Sequence, residues 1–166
     1  MIVVSDSTPL ITLMKAAELD LLHDLFGEII IPEAVYAELT TNPDFQEEAD
    51  LINGSDFIVV ASVEDKKTVS VLQRATGLDL GESEAIVYAD DHHADLLLVD
   101  EASGRRVALD MGLEIMGSIG VLVSAFREGL ISEAEAVDAF QKIRESNRHI
   151  SERLINEALD IIHSNR

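Results

Sequence analysis

Short apolar runs alternate along the chain with longer segments of helical spacing. Ile2, Val3 and Val4 form an apolar β-branched run, and residues 2–5 read as a first, buried strand. Residues 9–15 are apolar nearly all round, as in a short buried helix. Leu19, Leu21, Leu22, Leu25 and Phe26 make a second helical stripe, which Gly27 stops. Ile29, Ile30 and Ile31 are a strand, and Pro32 opens a helix with Val35 and Leu39 inward. A polar helix runs from Thr41-Asn42-Pro43 to about Ile52, before the turn Asn53-Gly54. Phe57 to Val60 is the next strand, and Ser62 with Asp65 resembles a capping box for a helix to about Ala75. Gly77 to Gly81 reads as a loop. From Glu82 onward, Glu82, Ala85, Ile86 and Ala89 share one helical face, so an otherwise apolar face begins with an acid.

Leu96 to Val99 is a continuous apolar run of the kind a parallel sheet buries. A helix from Ser103 to Met111 follows, then a short strand from Leu113 to Met116 and a helix from Ser118 to Arg127. Ser132 with Glu135 is a capping box for a helix to about Ser146. Ser151 caps a last helix whose stripe is Leu154, Ile155, Ala158, Leu159 and Ile162. Alternating strands and helices predict an α/β fold, a parallel sheet covered by helices on both faces. Right-handed crossovers then bring the strand C-terminal ends to one edge, where open α/β sheets bind ligands.

Four acids belong to that edge. Asp6 and Asp100 each follow a strand. Glu82 opens a buried helical face, and Glu38 lies at the margin of the Val35–Leu39 face. Each has an ordinary alternative. Asp6 and Asp100 suit turns or helix caps, Glu82 suits a helix N-terminus, and Glu38 alone reads as a surface acid. Carboxylates packed into one cleft repel, and burial adds to the cost. A divalent cation relieves it, and Mg²⁺ or Mn²⁺ takes carboxylate and water oxygens. Glu84 points roughly 200° from Glu82 and should face solvent or a rim. Thr8 is placed to cap a helix starting at Pro9.

Composition narrows the classes. At 166 residues and 47% hydrophobic, the chain is one globular domain with a real core. Without cysteine it has neither disulfides nor thiolate metal sites, and no apolar run approaches the roughly 20 residues that span a bilayer. The N-terminus has no basic segment before an apolar one, so a cytoplasmic location is expected. The net charge of −20, from 32 acids against 12 bases, argues against a broad basic nucleic-acid surface. A local basic rim beside a metal site remains open.

The segments VVSDSTPLITL, IPEAVYAEL, LDLGESEAIVYA and LLLVDEASGRRVALDMGLEIMGSIGVL resemble the PIN-domain superfamily, with SERLINEAL fitting near the end. More closely they resemble its prokaryotic branch of uncharacterised, VapC-toxin-like proteins. The resemblance spans nearly the whole chain. It implies a Rossmann-like three-layer α/β/α sandwich. From the chain itself, the helices after about residue 132 are expected to pack on the core or on a partner chain. The resemblance implies a metal-dependent ribonuclease using Mg²⁺ or Mn²⁺ in an acidic pocket. It also implies the toxin role, a cognate antitoxin protein that blocks the pocket, and a homodimer. By position, Asp6, Glu38, Glu82 and Asp100 match the four acids of the family pattern, as catalytic and metal-binding residues. Position 82 departs from the wider superfamily, where Asp is usual.

Other residues carry two readings each. Glu84 or Glu101 is a further ligand or a bystander. Ser7 and Thr8 either hydrogen-bond a carboxylate or cap the helix. Arg105 and Arg106 either reach an RNA phosphate from the rim or pair with nearby acids. His92 and His93 read as surface residues, because adjacent histidines do not face each other on a helix. The alternative function is a non-catalytic PIN-like module that binds nucleic acid or protein. Phosphoryl transfer of the haloacid-dehalogenase or receiver type fits poorly. Thr8 stands where the former needs a second Asp, and Leu113 to Gly120 holds no lysine.

Overall fold

A computed structural model of the protein describes residues 1–146 and 150–164. Five parallel strands form the sheet among the described residues: β1 (Val3–Ser5), β2 (Ile29–Pro32), β3 (Ile58–Ala61), β4 (Leu96–Leu98) and β5 (Ile115–Met116). Their spatial order is β3-β2-β1-β4-β5. The chain therefore builds outward in one direction from β1, then returns to β1's other side with β4. That reversal opens a crevice at the carboxyl ends of β1 and β4. The two strands are in register, Ser5 opposite Leu98, and the Asp6 amide continues the ladder to the Leu98 carbonyl at 3.0 Å.

The period of two along these strands divides the core. Val3 and Leu98 face one layer, containing α1 (Ser7–Lys15), α2 (Leu21–Phe26), α3 (Glu33–Thr40) and α4 (Gln46–Asn53). The same layer holds α8 (Ser118–Arg127), α9 (Glu133–Glu145) and α10 (Glu152–Ser164). Val4, Leu97 and Val99 face the other, where α6 (Leu80–Asp91) and α7 (Ala102–Asp110) supply Ala85, Ile86, Ala89 and Ala108. The remaining helix, α5 (Lys66–Thr76), packs on α6 through Val69 and Val87. This is a three-layer α/β/α sandwich. The last two helices join the core through Phe140, Ile143, Ile155, Ala158 and Ile162.

Several element starts differ from the sequence expectation. Helix α1 begins at Ser7, with Asp6 in the cap position, so Thr8 lies inside the first turn and Pro9 is tolerated there because its missing N–H has no partner within the helix. Asp65, not Ser62, caps α5, accepting the Thr68 amide at 3.0 Å. Helix α6 begins at Leu80 rather than Glu82, inside the expected loop, because Asp79 and Glu82 form a reciprocal capping box. On α10, Leu154 is half exposed although it belongs to the expected stripe.

Candidate functional site

The sheet's carboxyl edge carries a cluster of acids. Asp6 leaves β1 in extended backbone and enters α1 directly, which sets it at the carboxyl end of β1. It is 2% exposed, and neither carboxylate oxygen has a hydrogen-bond partner. Burial pushes its pKa up to about 8. The Ser7 amide opposes that rise, and the carboxylates of Glu82, Glu38 and Asp79 add to it. An aspartate at a helix N-cap normally bonds the first-turn amides; this one does not.

Glu82 serves two purposes with its two oxygens. Oε2 accepts the Asp79 amide at 3.1 Å, closing the capping box, while Oε1 is buried without a partner. Its pKa is pushed up to about 7, by burial first, then by contact with the Glu101 carboxyl and the charge of Asp79. Glu38 accepts the Ser7 hydroxyl at 2.7 Å. Its pKa is also raised, by burial of the carboxyl, with Asp79 and Glu101 adding to the shift. Its carboxylate lies directly on Gly81, where a β-carbon would collide with Oε1. Glycine at the start of α6 thus lets α3 and α6 bring their acids together.

Asp100 is held from a different side. It follows β4 and accepts the Ser118 amide at 2.7 Å and the Ser118 hydroxyl at 3.1 and 2.9 Å. Ser118 is the first residue of α8, so the positive end of that helix faces the carboxylate. Gly117 keeps the turn narrow: a β-carbon there would stand 2.8 Å from Asp100 Oδ1 and 3.1 Å from Arg105 Nη1. Glu101 accepts the Thr8 hydroxyl at 3.2 Å. Ser7 and Thr8 therefore brace Glu38 and Glu101 from the first turn of α1, rather than capping that helix.

Of the four expected acids, the structure brings Asp6 into electrostatic contact with both Glu38 and Glu82 and sets Asp100 on the neighbouring strand end. Glu101 joins them. Glu84 does not: it is 5% exposed and accepts the Ala34 amide at 2.9 Å, with Lys66 at 4.0 Å. The expected solvent-facing position is wrong because α6 is covered by α3 and α5 as well as by the sheet. Arg105 donates to the Val99 carbonyl at 3.0 Å, and Arg106 is exposed. His92 stacks on Tyr88 at 3.9 Å at the surface, as expected. Two participants escaped sequence reading. Asp79 was signalled by its spacing from Glu82, and Ser118 only by the topology that sets β5 beside β4.

Among the described residues, no three acidic or imidazole groups already stand in a metal-binding arrangement. The donor chemistry nevertheless fits a hard divalent cation. Every candidate group is a carboxylate, and three of their oxygens, two on Asp6 and one on Glu82, are buried without partners. No helix among the described residues is long and apolar enough to cross a membrane.

No curated protein and no solved structure matches the chain significantly. Residues 2–164 match the DUF3368 family, described as a PIN domain. That match covers nearly the whole chain and agrees with the parallel sheet and its acidic carboxyl edge, so the chain belongs to the PIN-domain superfamily, whose members are generally nucleases.

Proposed function

We propose that the protein is a metal-dependent ribonuclease of the VapC-like kind, cleaving RNA phosphodiesters as the toxin of a toxin–antitoxin pair. The carrying observation is Asp6, a buried carboxylate with two unpartnered oxygens among other acids. A folded chain retains such a costly group where an absent partner compensates it. Asp6 and Asp100 would hold Mg²⁺ or Mn²⁺, with Glu38 and Glu82 completing the pocket. When bound, such an ion offsets the repulsion among the acids and acidifies water at neutral pH. The chain's own groups do the rest. Ser118 fixes Asp100, and Ser7 fixes Glu38. A small antitoxin protein covering this cleft and a homodimeric assembly complete the reading, and both rest on the family likeness.

The test is cleavage of a mixed structured and unstructured RNA pool with Mg²⁺, with Mn²⁺ and with EDTA. Wild type should cut only with metal, and Asp6→Asn or Asp100→Asn should lower the rate by at least about a hundredfold while the fold persists. Full activity in both folded variants would overturn the mechanism. A second reading, a non-catalytic binding module, is favoured by the net charge of −20 and by the lack, among the described residues, of three acids in a metal-binding arrangement. It predicts binding without metal-stimulated cleavage.

A further inference from the structure

The outermost strand on one side of the sheet is β3, paired with β2 alone. Val59 is 37% and Val60 42% exposed there. They stand opposite Ile30 and Ile31 and alternate between the two faces, so the edge is open on both. Its backbone is open as well. The Phe57 carbonyl accepts the Ile29 amide at 2.8 Å, and the alternation of a parallel ladder then turns Val59 toward β2 and Ile58 and Val60 outward. The Ser55 carbonyl takes the Ile58 amide at 3.1 Å, which leaves the Ile58 carbonyl and both groups of Val60 on the outer side. Edge strands normally carry a charge, a proline or a bulge against pairing with another chain. Ile58–Ala61 has no charge and no proline, and its register with β2 is unbroken.

A cavity of about 380 Å³ adjoins the end of the same strand, with Ala61 in both. The carboxylates of Glu64, Asp65 and Asp91 line it, together with Tyr88 and His92, whose rings stack at 3.9 Å. No lysine or arginine is among its described lining residues. Asp65 is engaged as the cap of α5, whereas Glu64 and Asp91 are exposed. This cavity lies apart from the acidic cleft. Glu82 sits in the first turn of α6 and His92 closes its last, about 15 Å further along the axis.

We propose that β3 and this cavity form a docking site for an extended, basic segment of a partner protein, which adds to the sheet as a further strand and seats an arginine in the cavity. The site is independent of the ribonuclease reading. Main-chain bonds to the Ile58 and Val60 groups supply the pairing, and alternate apolar side chains of the segment cover Val59 and Val60. The cavity supplies the selection. A guanidinium forks onto carboxylates and stacks on an aromatic face, and Glu64, Asp91 and the Tyr88–His92 pair offer both in one place. The net charge of −20 attracts a basic segment over the whole approach. It disfavours a second copy of this chain, which would bring the same acids and the same net charge to the edge.

The experiment measures anisotropy of a fluorescein-labelled peptide with the full-length protein. The peptide alternates valine and threonine and carries an arginine at each end, so that one arginine reaches the cavity whichever way the added strand runs. Wild type should bind it saturably. Replacing both arginines by glutamine should weaken binding about fivefold or more. N-methylation of one alternate set of peptide nitrogens should weaken it about tenfold or more, while methylation of the other set, which faces away from β3, leaves it unchanged. In the protein, Glu64→Lys and Asp91→Lys, both at exposed positions, should each weaken binding about fivefold or more. Val60→Pro removes the outward amide on an edge strand that tolerates proline, and should do the same with an unchanged circular dichroism spectrum. Folded wild type that shows no saturable binding overturns the proposal. So does wild type that binds the glutamine peptide and both N-methylated peptides as well as the parent. Sedimentation that shows a wild-type dimer split by Val60→Pro assigns the edge to a second copy and also overturns it.

Discussion

A carboxylate buried as Asp6 is carries a consequence for pH. Its folded-state pKa, about 8, stands above the ordinary 3.8 of the unfolded chain. Between those values the folded state binds the extra proton, so stability falls as pH rises. Below about pH 4 the group is protonated in both states and the penalty disappears. Glu82, raised to about 7, acts in the same direction. Metal-free protein should therefore lose stability steadily from about pH 5 to about pH 8 in urea unfolding with EDTA. Asp6→Asn should flatten much of that slope and leave the part due to Glu82. An unchanged slope in the variant would mean that Asp6 is not the buried acid responsible. Ser118 shows the opposite treatment of a neighbouring acid: Asp100 receives an amide and a hydroxyl, and so is held in place as an anion-binding helix start would hold any ligand.

At the scale of elements, the cleft depends on how α3 and α6 meet. Gly81 lets the Glu38 carboxylate lie against α6, while Glu84 reaches back to the Ala34 amide at the start of α3. The two acids of α6 thus have separate tasks, Glu82 facing the cleft and Glu84 joining helices. Glu84→Ala should cost about 1–3 kcal/mol, the usual penalty for orphaning a buried amide and losing a charge-assisted bond. It should leave the dependence of any cleavage on metal unchanged. Urea unfolding beside the cleavage assay checks this, and a variant of normal stability that no longer responds to metal would return Glu84 to the ligand set. The expected helix starts failed at α5 and α6 for a shared reason. Ser62 and Asp65 before α5, and Asp79 and Glu82 at α6, stand three residues apart and each suit a helix start, and only the backbone conformation of the preceding loop selects one.

For the whole molecule, the net charge of −20 and the acid cluster act together. A cation bound at the cleft stabilises the folded state alone, by an amount that grows with its occupancy. Protons compete for the same oxygens, so the effect is larger where they are ionised. Saturating Mg²⁺ or Mn²⁺ should raise the melting temperature by several degrees near pH 8 and by clearly less near pH 5. An equal rise at both values would point to diffuse screening of surface charge rather than to the cleft. The C-terminal helices belong to this scale as well. Ile155, Ala158 and Ile162 bury against the main core, while Leu154 on the same helix stays half exposed.

Pattern along the chain was enough to determine the five strands, the parallel α/β class, the acids at the strand ends and the capping box of α9, because each of these is a local signal with a fixed period or spacing. It also carried the family likeness, through motifs spread over nearly all of the chain. Tertiary structure alone decided which acids meet. Glu84 and Glu82 differ by two positions on one helix, and their fates were settled by α3 and α5 packing over faces that an isolated helix would leave to water. Ser118 came to Asp100 because β5 lies beside β4, a pairing between residues far apart in sequence. The pKa of Asp6 was likewise outside any reading of the chain, since burial and the charges of Glu82, Glu38 and Asp79 exist only once the layers have closed.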